Sequence, residues 1–338
     1  MVIDKLKIVL ITYNRAESFA STLEQIFSEN SPIKDFDITI LNNASTDGTD
    51  EIILKYQEKF SNLKHIRNPI NIGGNANICR AYELCAASGK EYGWVICDDD
   101  IFDFANWAEV EKCIEEKNDI ICVSDYSIPA GKKDNKAYQM FQLGFVPASI
   151  FKISNIDDKV IFTMYESTFA MFQQLVPVAK VINENGKIKV LSKPIVFNGM
   201  HFENKRKNYS FARGATKALI TERKKKSNWI LGFSNIITLL DDKELIKECM
   251  DVSIPYVDIY GSWRNFYRSI NKDFFNRKDF NYFLEIYKRL RKRRKIFFWV
   301  YKIIHRIPYA ENLFAYINST RIYCIIKLHN LKCGFKVF

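Results

Sequence analysis

The chain reads as an α/β protein built on a mostly parallel sheet, and three observations carry that reading. Short β-rich apolar runs alternate with helical patterns four times in roughly the first hundred residues. Each run ends abruptly in polar residues, as parallel strands do at the carboxyl edge where ligands collect. The 338 residues are 47% apolar and 26% charged, with 13 Gly and 8 Pro, which supports a buried core and excludes collagen-like, low-complexity and wholly disordered chains.

The elements follow in order. Residues 6–12, Leu-Lys-Ile-Val-Leu-Ile-Thr, form a strand stopped by Tyr13-Asn14-Arg15, and a helix follows with Phe19, Leu23, Ile26 and Phe27 on one face. Residues 36–41 repeat the pattern: Asn42-Asn43-Ala44-Ser45-Thr46-Asp47-Gly48 supplies turn chemistry, and a helix over 49–60 turns Ile52, Ile53, Tyr56 and Phe60 inward. A third strand is predicted at 63–67, followed by Asn71-Ile72-Gly73-Gly74 and a helix over 75–88. A fourth, Gly93-Trp94-Val95-Ile96-Cys97, ends in Asp98-Asp99-Asp100. Beyond it the pattern predicts a helix at 105–117, a strand at 119–124, a polar loop at 130–137 and a helix starting near Glu166. The remainder reads as helical, over 214–226, 228–250, 255–270, 279–304 and from about 308.

Charge divides the chain. Residues 1–200 carry 21 Lys and Arg against 27 Asp and Glu, whereas residues 201–338 carry 29 against 12. An ordinary, slightly acidic α/β domain over 1–205 and a helical, basic region over 206–338 are therefore expected, the second drawn to a polyanionic surface. The eight cysteines include no CxxC pair and no zinc-type spacing, so they read as small core residues of a reducing compartment. No apolar run approaches the ~20 residues needed to cross a bilayer, and the start lacks a leader's apolar region, so a cytoplasmic location is expected.

The sharpest chemical signal is the run of three aspartates. Adjacent carboxylates repel, so the run costs stability unless a cation compensates it. In an extended segment alternate side chains point the same way, which would let Asp98 and Asp100 share a divalent cation while Asp99 faces elsewhere. Oxygen ligands suit Mg²⁺ or Mn²⁺, which complete their shell with phosphate and water, so a diphosphate-bearing substrate is the natural partner. An acidic surface turn is the plainer alternative.

Four ordered segments carry a resemblance: Ile11-Thr12-Tyr13-Asn14-Arg15, Leu41 to Thr49, Asn71-Ile72-Gly73-Gly74 with Arg80, and Trp94 to Asp100. In order and spacing they resemble the family 2 inverting glycosyltransferases of GT-A fold, over about 105 residues and more weakly to about 205. The glycine pair followed by Arg80, and Trp94 before the aspartates, look most like the rhamnosyl- and galactofuranosyltransferase branch. The resemblance implies a central parallel sheet with flanking helices and a nucleotide-diphosphate sugar donor, UDP-linked by preference and dTDP-linked as the alternative. It places Thr12, Tyr13 and Arg15 at the base and ribose, although Tyr13 could equally pack on the sheet edge. Asn42 stands where the family commonly has a base-binding Asp, with Asn43 beside it; an amide both donates and accepts, which opens the base identity. Gly73 belongs to the donor loop, and Arg80 falls near the donor phosphates or is a surface ion-pair partner. Asp98 and Asp99 face the donor; Asp98, Asp100 and the late His201 would hold Mn²⁺ or Mg²⁺, His201 having a structural role as its alternative. Glu166 best matches the general base that deprotonates the acceptor hydroxyl, with Asp157 and Asp158 in reserve.

Residues 288–295, Lys-Arg-Leu-Arg-Lys-Arg-Arg-Lys, lead into Ile296-Phe297-Phe298-Trp299-Val300-Tyr301. A polybasic cluster beside aromatic residues suits an anionic leaflet at about 1 kcal/mol per Lys or Arg, so 288–307 is expected to attach to the inner face of the plasma membrane. A solvated helix face is the bland alternative; RNA binding would call for aromatic residues interleaved with the charges on a recognisable module, and no nucleic-acid partner is expected. The implied reaction moves a hexose to a hydroxyl of a surface-glycan precursor, free or lipid-linked. A sugar nucleotidyltransferase and an inactive membrane-attached scaffold of a glycan assembly complex are the competing readings.

Overall fold

A computed structural model describes residues 2–125, 127–199, 232–233 and 235–260. Those up to Val252 fall in one compact unit. The predicted boundary at 205, His201, the helices expected at 214–226 and 279–304, and the basic segment 288–307 lie outside the described residues.

A seven-stranded sheet has the order β3-β2-β1-β4-β7-β6-β8. Strands β1 (Leu6–Thr12), β2 (Asp37–Asn42), β3 (Leu63–Arg67) and β4 (Tyr92–Cys97) run parallel, in close agreement with the four predicted runs. Their crossovers are the helices α1 (Ala16–Ile26), α2 (Thr49–Gln57) and α3 (Gly74–Ala86). A short β5 (Asp100–Phe102) leaves the main sheet and pairs antiparallel with β9 (Val196–Asn198). Helix α4 (Trp107–Glu115) leads to β6 (Ile120–Cys122), and β7 (Ser149–Lys152) runs antiparallel between β4 and β6. Strand β8 (Ile188–Val190) closes the far edge, parallel to β6.

Both faces of the central strands are buried, which is why they read as continuous apolar runs. Leu6, Ile8, Leu10, Ile38, Ile40, Trp94 and Ile96 share one core with Phe19, Leu23 and Ile26 of α1 and with Trp107 and Val110 of α4. Against the opposite face lies α3, whose Tyr82 stacks on Phe151 of β7 with ring centroids 4.5 Å apart. Each large apolar side chain so buried contributes roughly 2 kcal/mol. Trp94 satisfies its indole N–H on the Pro147 carbonyl at 2.9 Å, so the ring sits in the core without an orphaned donor. The six described cysteines are free thiols, five of them buried.

Three expectations are corrected. After α5 (Lys136–Gln142), helix α6 runs from Asp158 to Glu166, so Glu166 ends a helix rather than starting one. Asp157 caps α6, accepting from the Val160 N–H at 2.8 Å, and pairs with Lys180 at 2.7 Å, which gives it a structural role. After α7 (Val176–Asn183), helix α8 (Lys243–Tyr260) runs unbroken through the gap predicted between 250 and 255. The break falls instead just before α8, where Asp242 accepts from the backbone N–H groups of Glu244 and Leu245.

Candidate active site

Strand register sets the site. Thr12 lies beside Asn42, Asn42 beside Arg67, and Ile11 beside Cys97, so the residues that follow β1, β2, β3 and β4 meet along one carboxyl edge.

The acid run is a turn at Asp98 and Asp99, not an extended segment, so the alternation that would pair Asp98 with Asp100 does not hold. Asp98 is buried and folds toward β1: it accepts from the Thr12 hydroxyl at 2.8 Å, the Tyr13 N–H at 3.4 Å and Arg15 Nη1 at 3.0 Å. The same Arg15 nitrogen reaches Asp99 at 2.7 Å. Asp100 folds back and accepts from the Cys97 N–H at 3.0 Å. From α1, Thr22 donates to the Asp98 carbonyl at 3.1 Å, and the Gln25 amide spans the Asp100 carbonyl and the Phe102 N–H. Burial pushes the Asp98 carboxyl up to about 6, with Arg15 pulling it down and Asp99 adding to the rise. Asp100 is pushed well above the carboxylate range, by burial first and by Asp99 second. Burial opposes the Arg15 charge, but Asp98 and Asp99 outweigh it and hold that guanidinium charged.

The neighbouring loops are bolted to each other. Asn14, in the left-handed region at φ 50°, accepts from the Thr46 N–H at 2.7 Å and donates its own N–H to the Ser45 hydroxyl at 3.0 Å. Asp47 caps α1 from the other loop, accepting from the Ala16 N–H at 3.0 Å, and also accepts from the N–H and hydroxyl of Thr49.

Asn42 does not face outward. Fully buried, it donates to Asp50 at 2.6 Å and accepts from the Ser45 N–H at 2.9 Å. Asn43 is equally inward: its carbonyl accepts from Asn68 and the Ile72 N–H, and its amide donates to Asn71. Thr12 has its hydroxyl committed to Asp98. The side chains of Thr12, Asn42 and Asn43 thus each brace a loop or an acid at this edge.

Tyr13, Arg15, Asp99, Gly73 and Arg80 remain accessible. Tyr13 is 40% exposed at the end of β1. Gly73 caps α3 at φ 85°, a conformation that side chains rarely adopt, and its N–H is held by Asn71 at 2.8 Å. Arg80 is half-buried on α3 and makes no ion pair among the described residues, against the surface-pair alternative; its charge lies near Tyr165, which donates to Glu83 at 3.0 Å. Glu166 is exposed one residue beyond Tyr165, and the segment after it docks on the donor loop through Asn75, whose amide donates to the Thr168 carbonyl at 2.6 Å.

Several positioning residues carried no specific signal in the sequence: Asn14, Thr22, Gln25, Asp47 and Gly199. Gly199 follows β9 and lies so close to Asp99 that a Cβ there would stand 2.0 Å from the Asp99 carbonyl oxygen, so no side chain fits. Among the described residues no three His, Cys, Asp or Glu side chains form a ready cation cage.

The family model described as glycosyl transferase family 2 matches residues 7–218, which spans every loop of this edge. The chain belongs to glycosyl transferase family 2. Among the relatives of this family 2 chain, the abequosyltransferase RfbV of Salmonella typhimurium is 31% identical over 110 residues, 32% of each chain. The poly(ribitol-phosphate) beta-glucosyltransferase of Bacillus spizizenii is 27% identical over 167 residues, 47% of this chain and 24% of the relative. The matches thus span a third or less of either relative's length. Solved structures share the fold: S. aureus TarS 1-349 in complex with UDP-GlcNAc has a TM-score of 0.50 at 15% identity, covering 79% of each chain. The mannosyltransferase PcManGT from Pyrobaculum calidifontis, in complex with GDP-Man and Mn2+, has a TM-score of 0.52 at 10% identity, covering 78% of this chain and 72% of its own. The family 2 chain has the GT-A fold.

Proposed function

We propose that the protein is a metal-dependent inverting glycosyltransferase that moves a hexose from a nucleotide-diphosphate sugar, UDP-linked by preference and dTDP-linked otherwise, to a hydroxyl of a surface-glycan precursor. The observation that carries the reading is the charge balance at the end of β4: of three consecutive carboxylates Arg15 pairs with two, Asp98 and Asp99, and Asp100 has only the Cys97 N–H among the described residues. Buried acids without compensation shed charge by protonation, and the remaining imbalance of two suits a divalent cation. The donor set fits Mn²⁺ or Mg²⁺, because such ions take one or two carboxylates and leave the rest of the shell to phosphate and water. Asp98 and Asp100 would hold the ion only once their carboxyls leave the Thr12 and Cys97 contacts and turn to a common side, with His201 as the proposed third ligand, and when bound it would supply charge neutralisation for the departing diphosphate.

This chain's own residues do the rest. Tyr13 offers an exposed ring for the base, and Gly73 lets the loop before α3 approach the donor closely. Arg15 orients Asp98 and Asp99, and Arg80, which has no ion-pair partner among the described residues, would present its charge to the donor phosphates. Glu166 takes the proton from the acceptor hydroxyl as its oxygen bonds to the anomeric carbon and the bond to the diphosphate oxygen breaks on the opposite face. The basic segment 288–307 holds the enzyme at an anionic leaflet, where a lipid-linked acceptor would be presented. Among the described residues no helix is long and apolar enough to cross a membrane.

The test is a thermal-shift panel of UDP, dTDP, GDP and CMP with and without Mn²⁺, since ligands that bind the native state raise its melting temperature. A metal-dependent shift with UDP is expected. Silence from every nucleotide would favour the inactive scaffold. Glu166→Gln should keep that shift and lose at least ~100-fold in transfer, the lower range for a general base; undiminished turnover would remove Glu166 from the role.

A further inference from the structure

Three glutamines near the donor loop each have one end of the amide committed and the other unpartnered. Gln173 donates to the Asn75 carbonyl at 3.2 Å, and Gln174 donates to the Gly144 carbonyl at 2.6 Å. Gln142 accepts from the N–H of Ser127 at 2.9 Å and from its hydroxyl. A backbone carbonyl only accepts and a backbone N–H only donates, so these partners fix which way each amide points. Left over are two acceptors, Gln173 Oε1 and Gln174 Oε1, and one donor, Gln142 Nε2, all buried and without a hydrogen-bond partner. The three side chains are at most 2% exposed. Buried polar groups are ordinarily satisfied, so three orphans in one neighbourhood call for a ligand or for water.

Their place on the sheet decides which ligand. Strand β7 runs antiparallel, so the residues before it, Gln142 and Gly144 among them, stand at the carboxyl edge of β4. Ser127 follows β6 at that same edge, and Asn75 opens α3 just after Gly73. Along the edge, the loops after β1 and β2 come first, the acid turn after β4 next, and the glutamines beyond. A nucleotide sugar laid along this line, with its diphosphate at the acid turn, brings its sugar to the glutamines.

We infer that Gln142, Gln173 and Gln174 are a specificity-determining subsite that reads neighbouring ring hydroxyls of the transferred sugar, an inference that rests on the donor reading above. A hydroxyl both donates and accepts, so adjacent hydroxyls match two acceptors and a donor. Entry requires a cover to move. Phe141 and Phe172 immediately precede Gln142 and Gln173 in sequence, and each meets Phe233 edge-on, with centroids 5.4 and 5.6 Å apart.

The experiment compares bare diphosphates with their sugar nucleotides in Mn²⁺, using UDP against UDP-glucose, UDP-galactose and UDP-GlcNAc, and dTDP against dTDP-rhamnose, on wild type, Gln173→Met and Gln174→Met. In wild type one sugar nucleotide should shift the melting temperature beyond its diphosphate; both variants should lose that extra shift and keep the diphosphate shift. An extra shift unchanged in the variants means that buried water serves the amides, and it overturns the inference. An extra shift retained while transfer alone is lost assigns the glutamines to the acceptor and also overturns it. A wild type in which no sugar nucleotide exceeds its diphosphate does the same. Silence from the diphosphates themselves is a different result, and it removes the donor reading together with the subsite. Without ligand each variant loses its bond to a buried carbonyl and should melt a few degrees lower; a retained diphosphate shift shows that the variant is folded around the donor site, and loss of that shift in either variant overturns the assignment.

Discussion

Asp98 shows how one residue trades stability for a site. In the native chain its carboxyl titrates at about 6, against 3.8 when unfolded. Between those values the native state holds the extra proton, so the contribution of Asp98 is full below pH 4 and is lost as pH rises through 6. His65, whose value is lowered by burial, titrates in the opposite direction. It cancels when wild type is compared with Asp98→Asn, whereas Asp100, shifted in the same direction as Asp98 and partly by it, adds to the difference with the same sign. The melting temperature of Asp98→Asn, relative to wild type in ligand-free, metal-free buffer, should therefore rise from pH 4 to pH 7; a constant difference would contradict the burial argument. Asp37, Asp47, Glu109 and Asp157, all held below their ordinary values, lose their contribution only as pH falls below about 4.5 and so lie outside that window. The sequence exposed the position of Asp98 but not its orientation. Thr12, Asn42 and Asn43 teach the same point: a polar residue at a strand end looks alike in sequence whether it meets a ligand or turns inward to hold a loop.

At the level of elements, the loop after β2 closes on the loop after β1 through Asp47, which caps a helix 31 residues earlier in the chain. Asp47→Ala should cost about 1 kcal/mol, the usual worth of such a cap, and should weaken nucleotide binding more than it lowers the urea midpoint. Equal proportional losses would make the cap purely structural. Strands β1 to β4 were legible because each is five to seven residues of apolar sequence closed by turn chemistry. Strands β5, β6, β8 and β9 have three residues each and β7 has four, too few for a period to register; of these β6 was foreseen as part of a longer run and β9 as the apolar strand before His201. The start of α6 was missed although Asp157-Asp158 is a capping signal, because the acid of interest lay at the other end of that helix.

Across the whole molecule, residues 1–200 carry more acid than base and residues 201–338 the reverse, and the membrane task proposed for the basic part is open to a direct test. Cosedimentation with vesicles containing anionic lipid should fall steeply between 0.1 and 1 M salt, where the screening length shrinks from ~10 to ~3 Å. Replacing the seven cations of 288–295 by Gln should abolish it, and binding indifferent to both changes would refute attachment through this segment. Fold class and family were legible from four ordered motifs, whereas the proposed sugar subsite was not, since it depends on side chains brought together from the end of α5 and the turn just before α7. The bolted pair of loops has a kinetic meaning. With Asn14, Ser45, Thr46 and Asp47 already engaged, the nucleoside half of the edge has little left to order when a donor arrives. Rival nucleotides should then associate at similar rates and differ in how long they stay, so that selection among donors is made at departure rather than on arrival.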